Sequence, residues 1–428
     1  MNPQAAELNE IIGKFNPEII ELLSERGKNI FFPKKGILGQ TADAKTTKLN
    51  ATIGAAYEDD DSPMRLNSIE KQVNLTPKET FPYAPSFGRP EIRVKWKELI
   101  YKKNPELSDV ELSLPVVCNA LTHGLSILGY LFVNEGEKII IPDLYWGNYN
   151  LIFKNAYGAD FDTFKTFTDN GFNTGALKKL LLNSEAGKKM LLLNFPNNPT
   201  GYTPTIEEVK NIVSILKKSA EKGNQILVIC DDAYFGLVYK DGIEKQSIFT
   251  YLANLHKNIL AVKADGPTKE DYVWGFRIGF ITYGIKGGTK EVYTALENKT
   301  AGAVRGNISN SCNLSQSILL NAFESITYWK EKEEKYAILK GRYDKIQEVL
   351  KDEKYKEVFK ALPVNSGYFM CIKLKDGLDG EKIRKTLIEE YSTGIINLNN
   401  IFRLAFSCVK EDDIKTLFDN IYDACKNS

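Results

Sequence analysis

Lys269 and Arg277 stand eight positions apart in a stretch, Ala264 to Phe280, that reads as a loop between two apolar runs. A lysine offers an amine to a carbonyl, and an arginine offers a planar fork to a phosphate. A ligand with both an aldehyde and a phosphate satisfies the pair, and pyridoxal phosphate (PLP) is one. Its pyridine ring withdraws electrons only while the ring nitrogen is protonated, and a buried carboxylate keeps that proton in place. Asp231 or Asp232, which end the apolar run Ile226 to Cys230, can be that carboxylate; an exposed turn or a helix cap is the other reading. Asn198 and Tyr234 can donate to the ring's phenolate oxygen, and Trp146 can stack on its face or simply fill core. Thr122, at a helix start, brings a hydroxyl and free backbone N–H groups that suit a phosphate, or serves as a plain cap. Lys263 is a rival amine, fourteen positions before Arg277.

Arg403 lies in an apolar run far down the chain, and a buried guanidinium needs an anion. A substrate carboxylate is one answer and a structural Asp or Glu the other. Gly54 either lets a ligand approach the backbone closely or ends the extended stretch Leu49 to Tyr57. Only His123 and His256 are histidines, which argues against a histidine-rich metal site or a histidine-dependent triad.

These residues need elements to bring them together. From Pro115 to about residue 290, short apolar runs alternate with helical segments. Val116 to Cys118, Ile139 to Ile141, Met190 to Asn194, Ile226 to Cys230, Ile259 to Val262 and Ile278 to Tyr283 read as strands. Leu125 to Val133 and Thr205 to Leu216 read as helices, the second opening on a Thr205-x-x-Glu208 capping box. Fully apolar strands alternating with helices predict a mostly parallel sheet covered on both faces. Ligands bind such sheets beyond the carboxyl ends of the strands, where Asn198, Asp231, Tyr234 and Lys269 fall. Beyond Ser309, helical segments at 314–323 and 326–350 precede strands at 368–372 and 402–406, with helices at 380–391 and 411–426. Helical periodicity also marks 4–26, broken at Pro17, and a polar arm follows from Phe32 to Lys48. The expected class is α/β: a large PLP-binding domain with a mostly parallel sheet covered by helices, plus a smaller α+β domain built from both chain ends. The expected boundaries are an N-terminal arm and part of the small domain at 1–75, the large domain at 76–312 and the small C-terminal domain at 313–428.

The 428 residues carry a formal net charge of +1, which gives no electrostatic reason to expect nucleic acid or an acidic membrane surface. Apolar runs are too short to span a membrane, and the first residues do not form a signal peptide. Six scattered cysteines, without a Cys-x-x-Cys pair, read as reduced residues of a cytoplasmic protein.

Taken in order, these segments resemble the fold-type-I PLP-dependent enzymes of the class I/II aminotransferase family, the group that includes aspartate aminotransferase. The motifs that carry the resemblance are Asn198-Pro199-Thr200-Gly201, Asp231-x-Ala233-Tyr234, Lys269 with Arg277 and Gly279, and the segment Pro142 to Tyr149. The resemblance implies that Lys269 is the Schiff-base lysine, that Arg277 and Thr268 hold the phosphate, and that Asp231 pairs with the pyridine nitrogen. Asn198 and Tyr234 then contact the ring oxygen, and Trp146 is the stacking aromatic. Ala120-Leu121-Thr122-His123-Gly124-Leu125 takes the place of the phosphate loop, with Leu121 and Thr122 as its contacts. Arg403 matches the arginine that grips the substrate α-carboxylate. Tyr83 resembles a tyrosine that reaches the neighbouring subunit's phosphate, so a homodimer with active sites at the interface is implied.

Two positions depart from the family pattern. Gly266-Pro267-Thr268-Lys269 lacks the usual first serine, and Ala120 stands where Ser or Gly is common. The implied activity is amino transfer between an L-amino acid and a 2-oxo acid. A PLP-dependent carbon–sulfur β-lyase is the alternative, and a non-enzymatic PLP-binding regulator is disfavoured because residues 1–50 are too short for a DNA-binding module. Arg305, read as lying between two helical stretches, resembles an arginine that takes a distal carboxylate across a dimer. That implies aspartate or glutamate as substrate.

Overall fold

The computed structural model describes residues 1–33, 36–168, 171–183 and 185–427. A seven-stranded sheet has the spatial order Val116–Cys118, Gly279–Gly284, Ile259–Asp265, Gln225–Asp231, Lys188–Asn194, Lys138–Pro142, Asp160–Phe164. Gly279–Gly284 runs antiparallel to both neighbours, and the other pairs are parallel. Alternate residues of each strand fill two different cores. In Gln225–Asp231, Ile226, Val228 and Cys230 pack with Trp96 and Phe280 on one face. Leu227 and Ile229 pack with Tyr149 and Ile281 on the other. Both faces are dry, so these strands read as unbroken apolar runs.

Local chemistry fixes the helices. Thr205 and Glu208 form the expected capping box at Ile206–Glu221, with Thr205 N–H donating to Glu208 Oε2 at 2.8 Å. Pro17 takes the first position of a new helix, Pro17–Leu22, after Pro3–Phe15 ends. Beyond the short strands Phe359–Ala361 and Ile396–Leu398, which the sequence reading did not name, three elements differ from it. Asp160–Phe164 is a partly exposed edge strand whose Asp-Phe-Asp-Thr-Phe alternation is too short to stand out. Ile37–Asp43 is a short helix inside the polar arm. Lys290–Ile308 is one long helix, so Arg305 sits in its last turn rather than between helices.

A second, four-stranded sheet has the order Phe359–Ala361, Phe369–Leu374, Ile401–Ala405, Ile396–Leu398, all antiparallel. The N-terminal strand Leu49–Asn50 pairs with Thr393–Gly394, and Ala405 N–H donates to Ala51 O at 2.8 Å. Early and late segments of the chain are thus joined by backbone hydrogen bonds. Another seam joins the Asn198 turn to this region. Asn365 and Ser366 N–H both donate to Gly201 O, at 3.0 and 2.9 Å, and Asn365 brackets Thr203 through both side-chain atoms. Gly201 has φ +68, and a Cβ there would stand 1.9 Å from Phe369 O. Among the described residues, no helix is long and apolar enough to cross a membrane, and no group of His, Cys, Asp and Glu is placed to hold a metal ion.

Candidate active site

A cleft of about 480 Å³ opens at the carboxyl ends of the parallel strands, beside the second sheet. Lys269, Thr268, Asp231, Tyr234 and Asn198 line it from the seven-stranded body, and Arg403 lines it from Ile401–Ala405. Trp146, Leu121, Thr122, Arg277 and Gly54 complete the set of sequence candidates found there.

Lys269 rides on a single turn, Pro267–Glu270, that follows the strand Ile259–Asp265. Burial lowers its amine to about 8, the positive charge of Arg277 adds to this, and Asp231 opposes it. The turn is held from behind. Glu270 meets Lys103 and Lys332 at 2.7 Å each, Asp271 meets Lys332 at 2.7 Å, and Tyr368 OH donates to Lys269 O at 2.7 Å. Burial alone would raise Glu270, but the two lysines outweigh it and hold it at about 2.

Asp231 and Asp232 part ways at the strand end. Asp231 enters the cleft, where its Oδ2 accepts from Tyr149 OH at 2.5 Å and its Oδ1 from Ala233 N–H at 3.2 Å. Burial pushes it up to about 6, against the Tyr149 bond and the charge of Lys269. A cation beside this carboxylate would favour its ionised form. Asp232 instead pairs with Lys263 and accepts from Ser247 Oγ at 2.6 Å. Neither Asp232 nor Lys263 lines the cleft.

At the other end of the cleft the helix Ala120–Phe132 begins, with Ala120 at φ +65 and Thr122 exposed. The first N–H groups of such a helix suit an anion. Thr268 Oγ1 is buried there without a partner. Arg277 has φ +51, and its Nη1 donates to Trp274 O at 3.2 Å. The departure at Gly266 has a steric cause. A Cβ there would lie 2.9 Å from Ile278 O, 3.0 Å from Gly279 Cα and 3.1 Å from Leu121 Cδ1, so a serine does not fit.

Arg403 is 3 % exposed and has no carboxylate partner among the described residues. Its Nη2 donates to Thr52 O at 2.8 Å, Nη1 lies 3.4 Å from Asn198 Oδ1, and Nε has no partner. The guanidinium lies 4.4 Å from the Phe369 ring centroid. Gly54 lines the same end, 3.4 Å from Phe369 Cζ if given a Cβ, so contact there is ordinary and space does not demand glycine. Tyr83, 90 % exposed, and Arg305, whose Nη1 donates to Ser309 Oγ at 2.8 Å, do not line this chain's cleft.

Sequence reasoning missed three contributors. Tyr149 grips Asp231, and its only signal was a position one helical turn after Trp146. Asn194 is in register with Asp231; its Nδ2 donates to Asp231 O, and its Oδ1 accepts from Asn198 N–H, each at 2.8 Å. Ile37, Leu38 and Thr41 from the N-terminal arm also reach the cleft.

The donor set fits PLP: an anion cradle with an orphaned hydroxyl at one end, a buried carboxylate at the other, and an amine of lowered basicity between them. A family model for aminotransferase class I and II matches residues 48–421. An aspartate aminotransferase of Bacillus sp. (strain YM-2) is 28% identical over 264 residues, 61% of this chain and 63% of that protein, less than two thirds of its length. A probable aspartate/prephenate aminotransferase of Rickettsia felis is 24% identical over 410 residues, 89% of this chain and 90% of that one. An aminotransferase structure from Anaerococcus prevotii shares the fold with a TM-score of 0.83 at 24% identity, covering 94% of this chain and 99% of that one. A Pyrococcus horikoshii kynurenine aminotransferase, solved in complex with PMP, does so at 0.77 and 16% identity, covering 96% and 98%. With a family model spanning most of its length, the chain belongs to aminotransferase class I and II, a family of PLP-dependent enzymes.

Proposed function

We propose that this chain transfers an amino group between an L-amino acid and a 2-oxo acid, with Lys269 as the Schiff-base lysine and proton carrier. The observation that carries the reading is one cleft holding a lysine of lowered basicity, a buried Asp231 and an Arg403 without a carboxylate partner among the described residues. PLP, when bound, supplies the electron sink that makes the proton on the substrate α-carbon removable. Lys269, whose amine is lowered to about 8, would take that proton and deliver it to the cofactor's C4′ carbon, two atoms along, as general acid/base. Asp231, oriented by Tyr149 and Asn194, supplies the negative charge for a protonated ring nitrogen. Tyr234 and Asn198 address the ring oxygen, and Trp146 covers one ring face. Arg277, Thr268 and the N–H groups of Leu121 and Thr122 bind the phosphate. Arg403 orients the substrate through its α-carboxylate.

The reading extends to a homodimer with shared active sites. Tyr83 and Arg305 are exposed on this chain, Arg305 with a hydrogen bond to Ser309, and would serve a second copy's cleft, Tyr83 at the phosphate and Arg305 at a distal carboxylate. Curated relatives named aspartate aminotransferase support an acidic donor, with 2-oxoglutarate as acceptor. Six free cysteines suit a reducing cytoplasm.

The test is conversion of aspartate to its 2-oxo acid coupled to glutamate formation. Release of ammonia and a thiol from a cysteine conjugate, without amino transfer, would replace the reading by a carbon–sulfur lyase. Arg305→Leu should cut turnover of aspartate at least tenfold while sparing an aromatic amino acid, since a desolvated distal carboxylate then lacks its partner. Equal losses on both would remove Arg305 from substrate recognition.

A further inference from the structure

Lys263 is fully buried on the strand Ile259–Asp265, beneath the active site and out of its reach. Residues two apart on a strand share a face, so Lys263 and Asp265 point the same way. That face carries Cys230, Ala261 and Trp96, whereas Asp231 meets Tyr149 across the opposite core. Lys263 pairs with Asp232 and lies 3.4 Å from Asp265 Oδ2, with its amine 4.4 Å from the Phe235 ring centroid. Asp265 also accepts from Trp96 Nε1 at 2.9 Å.

With both carboxylates ionised, one lysine between them leaves a net charge of −1, adjacent in the chain to Asp231. A buried ionic triad is weak evidence for added stability, because apolar residues of the same volume often do as well or better. Charge that is buried is also poorly screened, so its field reaches across one sheet.

We infer that Lys263 is a positioning residue that acts through Asp231: it offsets Asp232 and Asp265 and so sets the potential at the cofactor's ring nitrogen. The inference rests on the PLP reading above. The other groups facing this cluster are few. Asp231 faces Tyr149, Lys269, Tyr234 and Asp232; Asp265 faces Lys103 and Cys118; Lys263 faces Cys230. Burial is the main cause that raises the proton affinity of Asp231, and the charge of neighbouring Asp232, the partner of Lys263, adds a smaller rise.

The experiment is a pH titration of the bound cofactor's visible absorbance in the holoenzyme. Lys263→Met leaves the triad at −2 and should raise the midpoint by on the order of one pH unit, the scale of a unit charge acting through protein interior. Asp232→Asn leaves it at zero and should lower the midpoint. Lys263→Met with Asp232→Asn restores −1 and should return near wild type. If Lys263→Met does not fold, Asp232→Asn and the double variant decide the question. Midpoints within about 0.2 units of wild type, with cofactor bound, would overturn the inference and leave a structural ion cluster. So would an upward shift in Asp232→Asn. Wild-type protein that takes up no PLP would defeat the PLP reading itself, a different and earlier failure.

Discussion

Arg403→Lys tests the substrate end of the cleft most directly. Arg403 spends Nη2 on Thr52 O and leans Nη1 on Asn198, leaving Nε without a partner at a buried position. A substrate carboxylate would complete this shell by a two-point contact. Lysine keeps the charge but offers a compact ammonium, so at least one charged hydrogen bond is lost. Such a bond contributes about 1.5–3 kcal/mol. That corresponds to roughly a ten- to hundredfold weaker dissociation constant. The assay is the change in holoenzyme absorbance on titration with an amino acid, and again with the amine that lacks its α-carboxylate. Arg403→Lys should weaken the amino acid by that factor and leave the amine within about twofold. If both weaken equally, Arg403 shapes the cleft rather than gripping the carboxylate.

Two further perturbations probe the cofactor end. Gly266→Ser, although it restores the family's usual residue, should destabilise the fold by about 1–3 kcal/mol through overpacking and loosen PLP; a variant with unchanged melting temperature and tighter PLP would refute the steric account. Uptake of PLP by the apoprotein should rise about tenfold per pH unit up to about 8 and level off above it, as the Lys269 amine loses its proton; a rise continuing to about 10, with the label on another lysine after borohydride reduction, would reject the assignment.

The sheet was legible because its strands are dry on both faces, and Asp231, Asn198 and Lys269 were legible because they interrupt such runs at their carboxyl ends. What stayed hidden depended on long-range placement. Asp231 and Asp232 are chemically identical in the sequence; only the partners Tyr149 and Lys263, 82 and 31 positions from them, tell the two apart. Lys290–Ile308 escaped notice because few of its residues are buried, so its apolar period is faint. The missing serine at Gly266 was legible as a departure but not as a steric necessity, because Ile278 O and Leu121 crowd that position only after folding.

The seam between Gly201 and residues 365–369 has an evolutionary consequence. The turn that carries Asn198 and the strand that carries Phe369, on which Arg403 stacks, fit each other as one mould. Gly201 admits no side chain, and Asn365 reads the backbone of Thr203 on both sides. A crossover with a distant homologue anywhere between residues 203 and 365 would pair halves of two moulds and shift Asn198 against Arg403. The placements of Asn198 and Arg403, the proposed cofactor and substrate contacts, are therefore heritable only together, as two short segments linked across more than a third of the chain.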